Sequence, residues 1–322
     1  MSNKDILVLG SIAYDYIMDF GGDLNKNLTS DPEKKVFNLA VMPHSKKINF
    51  GGTSGNISYN IAQLDSPVQV ITSVGKDFID LGYQKHMERF PSLIFRGNIH
   101  SDLFTASCYI VNDENHNQMI IFHEGAMKKC PEINLKKKNI TNSGIKIASV
   151  SPDNVMAMMG WAKELKSLEI PFIFDPGQVT PAFSKEMLEE VIPLAYMLIG
   201  NEFEVNMILE KLNMSIEDLL KINSRVIITK GNKGSDCFFD EEIIHVGICK
   251  PSKVLDTTGA GDAFRAGLLV GIANDCSILE ACQMGATLSS FSVETLGPQT
   301  QNYTSSSAKA RYEQNFQKKY PL

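Results

Sequence analysis

Short apolar runs bounded by turn residues, each followed by a longer stretch of helical periodicity, recur along most of the chain. That alternation is the mark of repeated strand–helix–strand units. Residues 145–150 read as a buried strand, Asp153 as the N-cap of a helix running to Leu168, and residues 171–174 as the next strand, stopped by Pro176 and Gly177. The rhythm continues with a strand at 196–199, a helix from about Glu202, a helix at 216–222 and a strand at 226–229. Such units predict an α/β fold: a doubly wound, mostly parallel sheet with helices on both faces, whose ligands bind beyond the C-terminal strand ends. Functional residues are therefore expected in the loops at that edge.

Two regions depart from the rhythm and are expected to form a small antiparallel lid sheet, inserted at about residues 12–50 and 95–124. Residues 105–122 alternate about a polar turn of Asn112, Asp113, Glu114, Asn115 and His116, as a hairpin does. Further short apolar pieces lie between Asp15 and Phe50, and the polar residues 25–35 are expected to be a loop. Residues 305–316 read as a polar C-terminal helix. With no internal repeat and no long linker, residues 1–322 are expected to form one domain carrying the lid.

Composition narrows the partners. The 322 residues are 43% hydrophobic and 21% charged, with a net charge of −6, which favours a small-molecule substrate over nucleic acid. No stretch approaches the roughly 18 apolar residues of a membrane span, and the strand-like residues 6–9 follow no apolar signal core, so a cytoplasmic enzyme is expected. The six cysteines show neither CxxC nor His-interleaved spacing and are expected to be reduced and structural.

The chemistry is concentrated in Asp256-Thr257-Thr258-Gly259-Ala260-Gly261-Asp262-Ala263-Phe264, followed by the apolar run 266–272. Glycines at 259 and 261 let backbone N–H groups turn toward one point, and a helix beginning there adds its positive end, together making a hole for a phosphate or an oxyanion. Asp262 can cap that helix, or take the proton of an attacking hydroxyl while the hole stabilises a transferring phosphoryl group.

This segment resembles the C-terminal signature of the PfkB/ribokinase family. The resemblance implies that Asp262 is the catalytic base, that Gly259, Ala260 and Gly261 form the anion hole, and that ATP with Mg2+ is the phosphoryl donor, with Thr258 among the nucleotide contacts. Phe50-Gly51-Gly52-Thr53-Ser54-Gly55-Asn56 is similar to the family's Gly-Gly substrate loop, which places Gly51, Gly52 and Asn56 against the acceptor. Gly10-Ser11-Ile12-Ala13-Tyr14-Asp15 follows the first strand, where the family carries an aspartate that grips vicinal sugar hydroxyls; Asp15 matches it. Many relatives carry Asn or Glu where Ser11 stands. Asn201-Glu202-Phe203-Glu204 resembles the Asn-x-x-Glu motif that helps hold Mg2+ through its waters, assigning Asn201 and Glu204, although the same residues are also a good helix start. Thr229-Lys230-Gly231 and Gly234 resemble the nucleotide loop, with Lys230 readable equally as a solvated lysine.

These matches run in order from residue 10 to residue 262. Residues 10–15, Phe172-Ile173-Phe174-Asp175-Pro176-Gly177-Gln178, Arg265 and Gly297-Pro298-Gln299-Thr300-Gln301-Asn302 look most like the bacterial adenosine-kinase-like branch. The implied reaction is transfer of the ATP γ-phosphoryl group to the primary hydroxyl of a nucleoside, adenosine being favoured. A sugar of the ribose or fructose kind is the alternative, a monovalent cation is compatible with the family, and lid sheets in relatives often pair, which is compatible with a homodimer. Tyr14, Phe104, Phe122 and His123 offer faces for a purine, or serve as packing. Lys46, Lys47 and Arg96 are the cations nearest in sequence for a sugar phosphate. No GxGxxG follows the first strand and no GxxxxGK[ST] occurs, which argues against a nicotinamide oxidoreductase and a P-loop ATPase. A non-catalytic ligand sensor on the same fold is the reading from a different class.

Overall fold

A computed structural model describes residues 5–31, 36–115 and 117–322. Its main sheet has nine strands in the order Glu242–Val246, Ser235–Phe239, Arg225–Thr229, Met197–Asn201, Phe172–Phe174, Ile145–Val150, Asp5–Leu9, Val68–Ile71 and Leu93–Phe95. The pairings from Arg225–Thr229 to Leu93–Phe95 are parallel, and the two at the opposite edge are antiparallel. Strand alternation sends side chains to two separate cores. Ile6, Val8, Ile147, Ile173 and Ile199 face the helices Thr53–Ala62, Ala260–Ala273 and Ile278–Ser292, whereas Leu7, Leu9, Ala148, Phe174 and Leu198 face Val155–Ser167 and Glu202–Leu212. Burial on both faces explains why these strands read as near-continuous apolar runs.

A second sheet of four strands, Gln118–His123, Ala106–Asn112, Ala13–Asp19 and Ser45–Gly51, stands where the lid sheet was expected. It is mixed rather than antiparallel throughout, because the central pair, Ala13–Asp19 with Ala106–Asn112, runs parallel. The outer strands run antiparallel to the central pair, Gln118–His123 as the return arm of a hairpin from Ala106–Asn112. Residues 25–31 are not simple loop either: the 3-10 turn Asn25–Asn27 leads into Leu28–Asp31, which pairs with Val36–Leu39 in a small hairpin. A main-chain ladder needs no apolar alternation, which is why composition did not signal it. Residues 32–35 and His116 of the predicted turns lie outside the described residues.

One cap differs from expectation by a residue. The helix Val155–Ser167 is capped by Asn154, whose Oδ1 accepts from the N–H groups of Met156 and Ala157. Asp153 turns inward, accepting from Thr72 Oγ1 at 3.4 Å and Cys130 Sγ at 3.6 Å, and burial pushes its carboxyl up to about 7. The C-terminal helix Ser305–Phe316 forms as expected, burying Ala308 and Tyr312. All six cysteines are free thiols. Among the described residues no helix is long and apolar enough to cross a membrane.

Candidate active site

From Asp5–Leu9 the chain winds toward Val68–Ile71 on one side and later returns to Ile145–Val150 on the other, so the crevice beyond Leu9 and Val150 is a topological switch point. The helix Thr53–Ala62 is nailed to that crevice by its own hydroxyls: Thr53 Oγ1 donates to Pro152 O at 3.0 Å, and Ser54 Oγ to Gly10 O at 2.9 Å. Gly52, at φ 82°, makes the turn; a Cβ there would meet Ala13 N and Ser11 O at 2.6 Å. Ser11 shares this scaffold through Thr53, its Oγ accepting from Thr53 N at 3.3 Å.

Gly259, in the left-handed region at φ 79°, starts the helix Ala260–Ala273, and Asp262 stands in its first turn. Gly259, Ala260 and Gly261 all line the cleft; the Ala260 N–H turns back to Thr257 O at 3.2 Å, and Gly261 is exposed at the helix mouth. Asp262 is half-buried and accepts a 2.8 Å hydrogen bond from Asn56 Nδ2. Burial pushes its carboxyl up to about 7, reinforced by Asp175 and Asp15 and opposed by Arg265 and the Asn56 hydrogen bond. The Asn56 amide is thus committed to Asp262.

Asp15 rises from the lid strand Ala13–Asp19, paired with Asn49 and Cys108, and burial raises its carboxyl to about 6. It rests on Gly51, where an added Cβ would lie 2.3 Å from Asp15 Oδ2. Gly51, Gly52, Asn56 and Asp15 therefore assemble on the lid side of Asp262.

On the other side of Asp262 lies a cleft of about 540 Å³, lined among others by Asn201, Glu204, Thr229, Gly231, Gly234 and Gly259. Asn201 and Glu204 form a reciprocal capping box: Glu204 N donates to Asn201 Oδ1 at 2.9 Å and Asn201 N to Glu204 Oε2 at 2.8 Å. Burial, with Asp175 nearby, raises the Glu204 carboxyl. Lys230 is not free in solvent, since it pairs with Asp236 and, at 3.9 Å, with Glu202. Thr258 does not line the cleft; its N–H donates to Asp256 Oδ1 at 2.9 Å, while Thr257 takes the lining position.

Two groups singled out in the sequence only as marks of a branch prove to build the site. Arg265, 7% exposed, clamps Asp175, 1% exposed, through Nε to Oδ2 and through Nη2 to Oδ1 at 2.6 Å. Its Nη1 also donates to Gly261 O at 3.1 Å, so the pair ties the glycine loop to the strand end after Phe174. Gln299 donates from Nε2 to Asn56 Oδ1 at 2.9 Å and to Tyr83 Oη at 2.6 Å. The chemical signals were an arginine one turn after Asp262 and an aspartate at a strand's C-terminal end; Gln299 offered none beyond its place in the run 297–302.

Against known proteins, the model of the pfkB family of carbohydrate kinases matches residues 5–305. The nucleoside kinase of Methanocaldococcus jannaschii is 31% identical over 299 residues, spanning 92% of this chain and 93% of its own. The adenosine kinase of Saccharomyces cerevisiae is 25% identical over 84% of this chain and 85% of its own. The solved nucleoside kinase of Burkholderia thailandensis in complex with inosine superposes with a TM-score of 0.83 at 29% identity, covering 98% of this chain and 99% of that one. Ribokinase-like architecture accordingly extends over nearly all of the chain.

Proposed function

The chain belongs to the pfkB family of carbohydrate kinases, and on that footing we propose that it transfers the γ-phosphoryl group of ATP to the primary hydroxyl of a nucleoside. The observation that carries the reading is the placement of Asp262 at the first turn of a glycine-opened helix, between the 540 Å³ cleft and the lid-side group of Asp15, Gly51 and Asn56. In it, Asp262 takes the proton of the attacking hydroxyl, and the N–H groups at the start of Ala260–Ala273 stabilise charge on the phosphoryl group. Asp15 accepts from two vicinal hydroxyls, which selects a ribose-like diol. Closure of the lid over them excludes water as a competing acceptor. Similarity to nucleoside kinases along nearly the full chain favours a nucleoside over a free sugar, with purine nucleosides first.

Thr229, Gly231 and Gly234 line the cleft that would receive the nucleotide. Among the described residues no three His, Cys, Asp or Glu side chains cluster as a metal cage, so the candidate is a sparse site of the kind Mg2+ takes, with Asn201 and Glu204 lining the cleft and water and phosphate oxygens as the other ligands. Because Asn201 and Glu204 already satisfy each other, they would hold the ion through its waters, where it offsets phosphate charge.

ATP consumption with product mass, measured across adenosine, inosine, pyrimidine nucleosides, ribose, fructose and fructose phosphate with Mg2+, is expected to show a phosphorylated purine nucleoside. A phosphorylated sugar alone would move the acceptor; no product from any acceptor would leave the sensor reading standing. A sugar phosphate has less support, since Arg96 is spent on Gln69 Oε1 at 2.8 Å and on Lys138 O and Lys46 lies over the Tyr16 ring, while Lys47 is exposed on the strand Ser45–Gly51. Tyr14 is core, fully buried with its hydroxyl on Asp77 O, leaving Phe104, Phe122 and His123 exposed as purine faces. The exposed lid strand Gln118–His123, with Ile120, Ile121 and Phe122 uncovered, supports pairing of two lids.

Gly51→Ala tests the acceptor half. Its methyl group must displace the Asp15 carboxylate, so the acceptor KM is expected to rise by about tenfold to a hundredfold, the worth of one or two charge-assisted hydrogen bonds. The KM for ATP should hold within about twofold in the same initial-rate series.

A further inference from the structure

We infer that Gln299 is a positioning residue for the base: through a polar chain from Arg89 by way of His86, it forces the Asn56 amide to present its N–H, and not its carbonyl, to Asp262. This rests on the functional reading above, in which Asp262 is the base.

The chain has a direction set at its outer end. Arg89 has no acceptor atom, so its Nη2, 2.8 Å from His86 Nδ1, must donate there. Burial first, and Arg89 second, hold His86 down to about 4, so the ring is neutral near pH 7 and its one proton sits on Nε2. Nε2 then donates to Gln299 Oε1 at 3.0 Å. With its carbonyl so engaged, the Gln299 amide turns its NH2 inward and spends both hydrogens, one on Asn56 Oδ1 at 2.9 Å and one on Tyr83 Oη at 2.6 Å. Tyr83 Oη donates in turn to Gly51 O at 2.8 Å. Asn56, with Oδ1 already accepting, has only its NH2 left for Asp262 Oδ2 at 2.8 Å.

A reversed amide would set a carbonyl dipole against the carboxylate, and each link of the chain excludes that reversal. The parts are held rigidly. His86 stacks on Tyr59 at 5.3 Å between ring centroids and lies against Phe50 at 4.4 Å, and Gln299 and Asn56 are each 6% exposed. Other groups facing Asp262 are Arg265 on its own helix, Asp175 beyond it, Asp15 from the lid strand and Tyr83 from the helix Tyr83–Met87. Arg265, Asp175 and Asp15 act through charge and Tyr83 spends its hydrogen on Gly51 O, whereas Asn56 touches the carboxyl through an amide whose effect changes sign with orientation.

Gln299→Met keeps the length and removes the amide. The full-length enzyme carrying it is expected to lose kcat by about tenfold with the KM for ATP within about twofold, and Asn56→Ala together with Gln299→Met should be no slower than Asn56→Ala alone. The carboxyl carbon of Asp262, identified in NMR spectra by its loss in Asp262→Asn, reports the same event without turnover. Its titration midpoint should move up by about half a unit to one unit in Gln299→Met, because a donor has been released. A lowered melting temperature with an unmoved midpoint, or losses that add in the double variant, would overturn the inference. Absence of turnover by the unaltered enzyme would instead overturn the functional reading, and the midpoint would still decide the role of Gln299.

Discussion

Asp262→Asn is expected to lower kcat by about 10²- to 10⁴-fold while ATP still binds, measured by single-turnover phosphoryl transfer and by titration of ATP. The substitution is isosteric and still accepts from Asn56 through its carbonyl, so the loss is that of a proton acceptor and not of packing. The same assignment dictates the pH profile of the unaltered enzyme. Burial holds Asp262 at about 7. A base works deprotonated, so kcat/KM should rise with pH through an acid limb near 7 and flatten above it. Asp15, at about 6, must also be ionised to accept from a diol, and the limb should steepen from one proton toward two below that value. A flat profile between pH 5 and pH 8, or near-normal turnover by Asp262→Asn, would remove Asp262 as the base.

Arg265→Met should destabilise the fold by about 3–5 kcal/mol, because it strands the buried Asp175 carboxylate without its counter-charge. Urea unfolding measures this directly. Arg265→Met with Asp175→Leu should recover most of the loss, since no charge is then left buried. The single variant also frees Gly261 O and takes from Asp262 the cation that opposes its upward shift, so residual activity should show its acid limb at higher pH. A change below about 1 kcal/mol would mean that the pair is screened as a surface ion pair is, contrary to its burial.

Much of the fold was legible because its signals are local. Strands 145–150 and 226–229 and helices 216–222 and 305–316 fell within a residue of their places, since periodicity and stop residues act over a few positions. Where several local solutions competed, the outcome moved: Asn154 rather than Asp153 took the cap, and the polar residues after Asn25 gave a turn and a strand. The candidate site was legible for the same reason where glycines and a carboxylate lie side by side, as at residues 259–262. It was not legible for Gln299, whose partners Asn56 and His86 are more than two hundred residues away. Thr258 was expected among the nucleotide contacts, yet Thr257 lines the cleft, and the Thr258 N–H is held by Asp256 Oδ1.

By itself the sequence determined the α/β class, the loops at the strand ends and the chemistry available in each, because alternation, capping and glycine turns are short-range consequences of backbone geometry. Which loop faces which was left to tertiary structure. Packing of Thr53–Ala62 beside Ala260–Ala273 sets Asn56 against Asp262, a strand end holds Asp175 against Arg265, and a parallel pairing of Ala13–Asp19 with Ala106–Asn112 raises Asp15 over Gly51. Periodicity says which face a side chain takes, but the neighbour on that face is chosen by the order of strands and the close packing of helices across it.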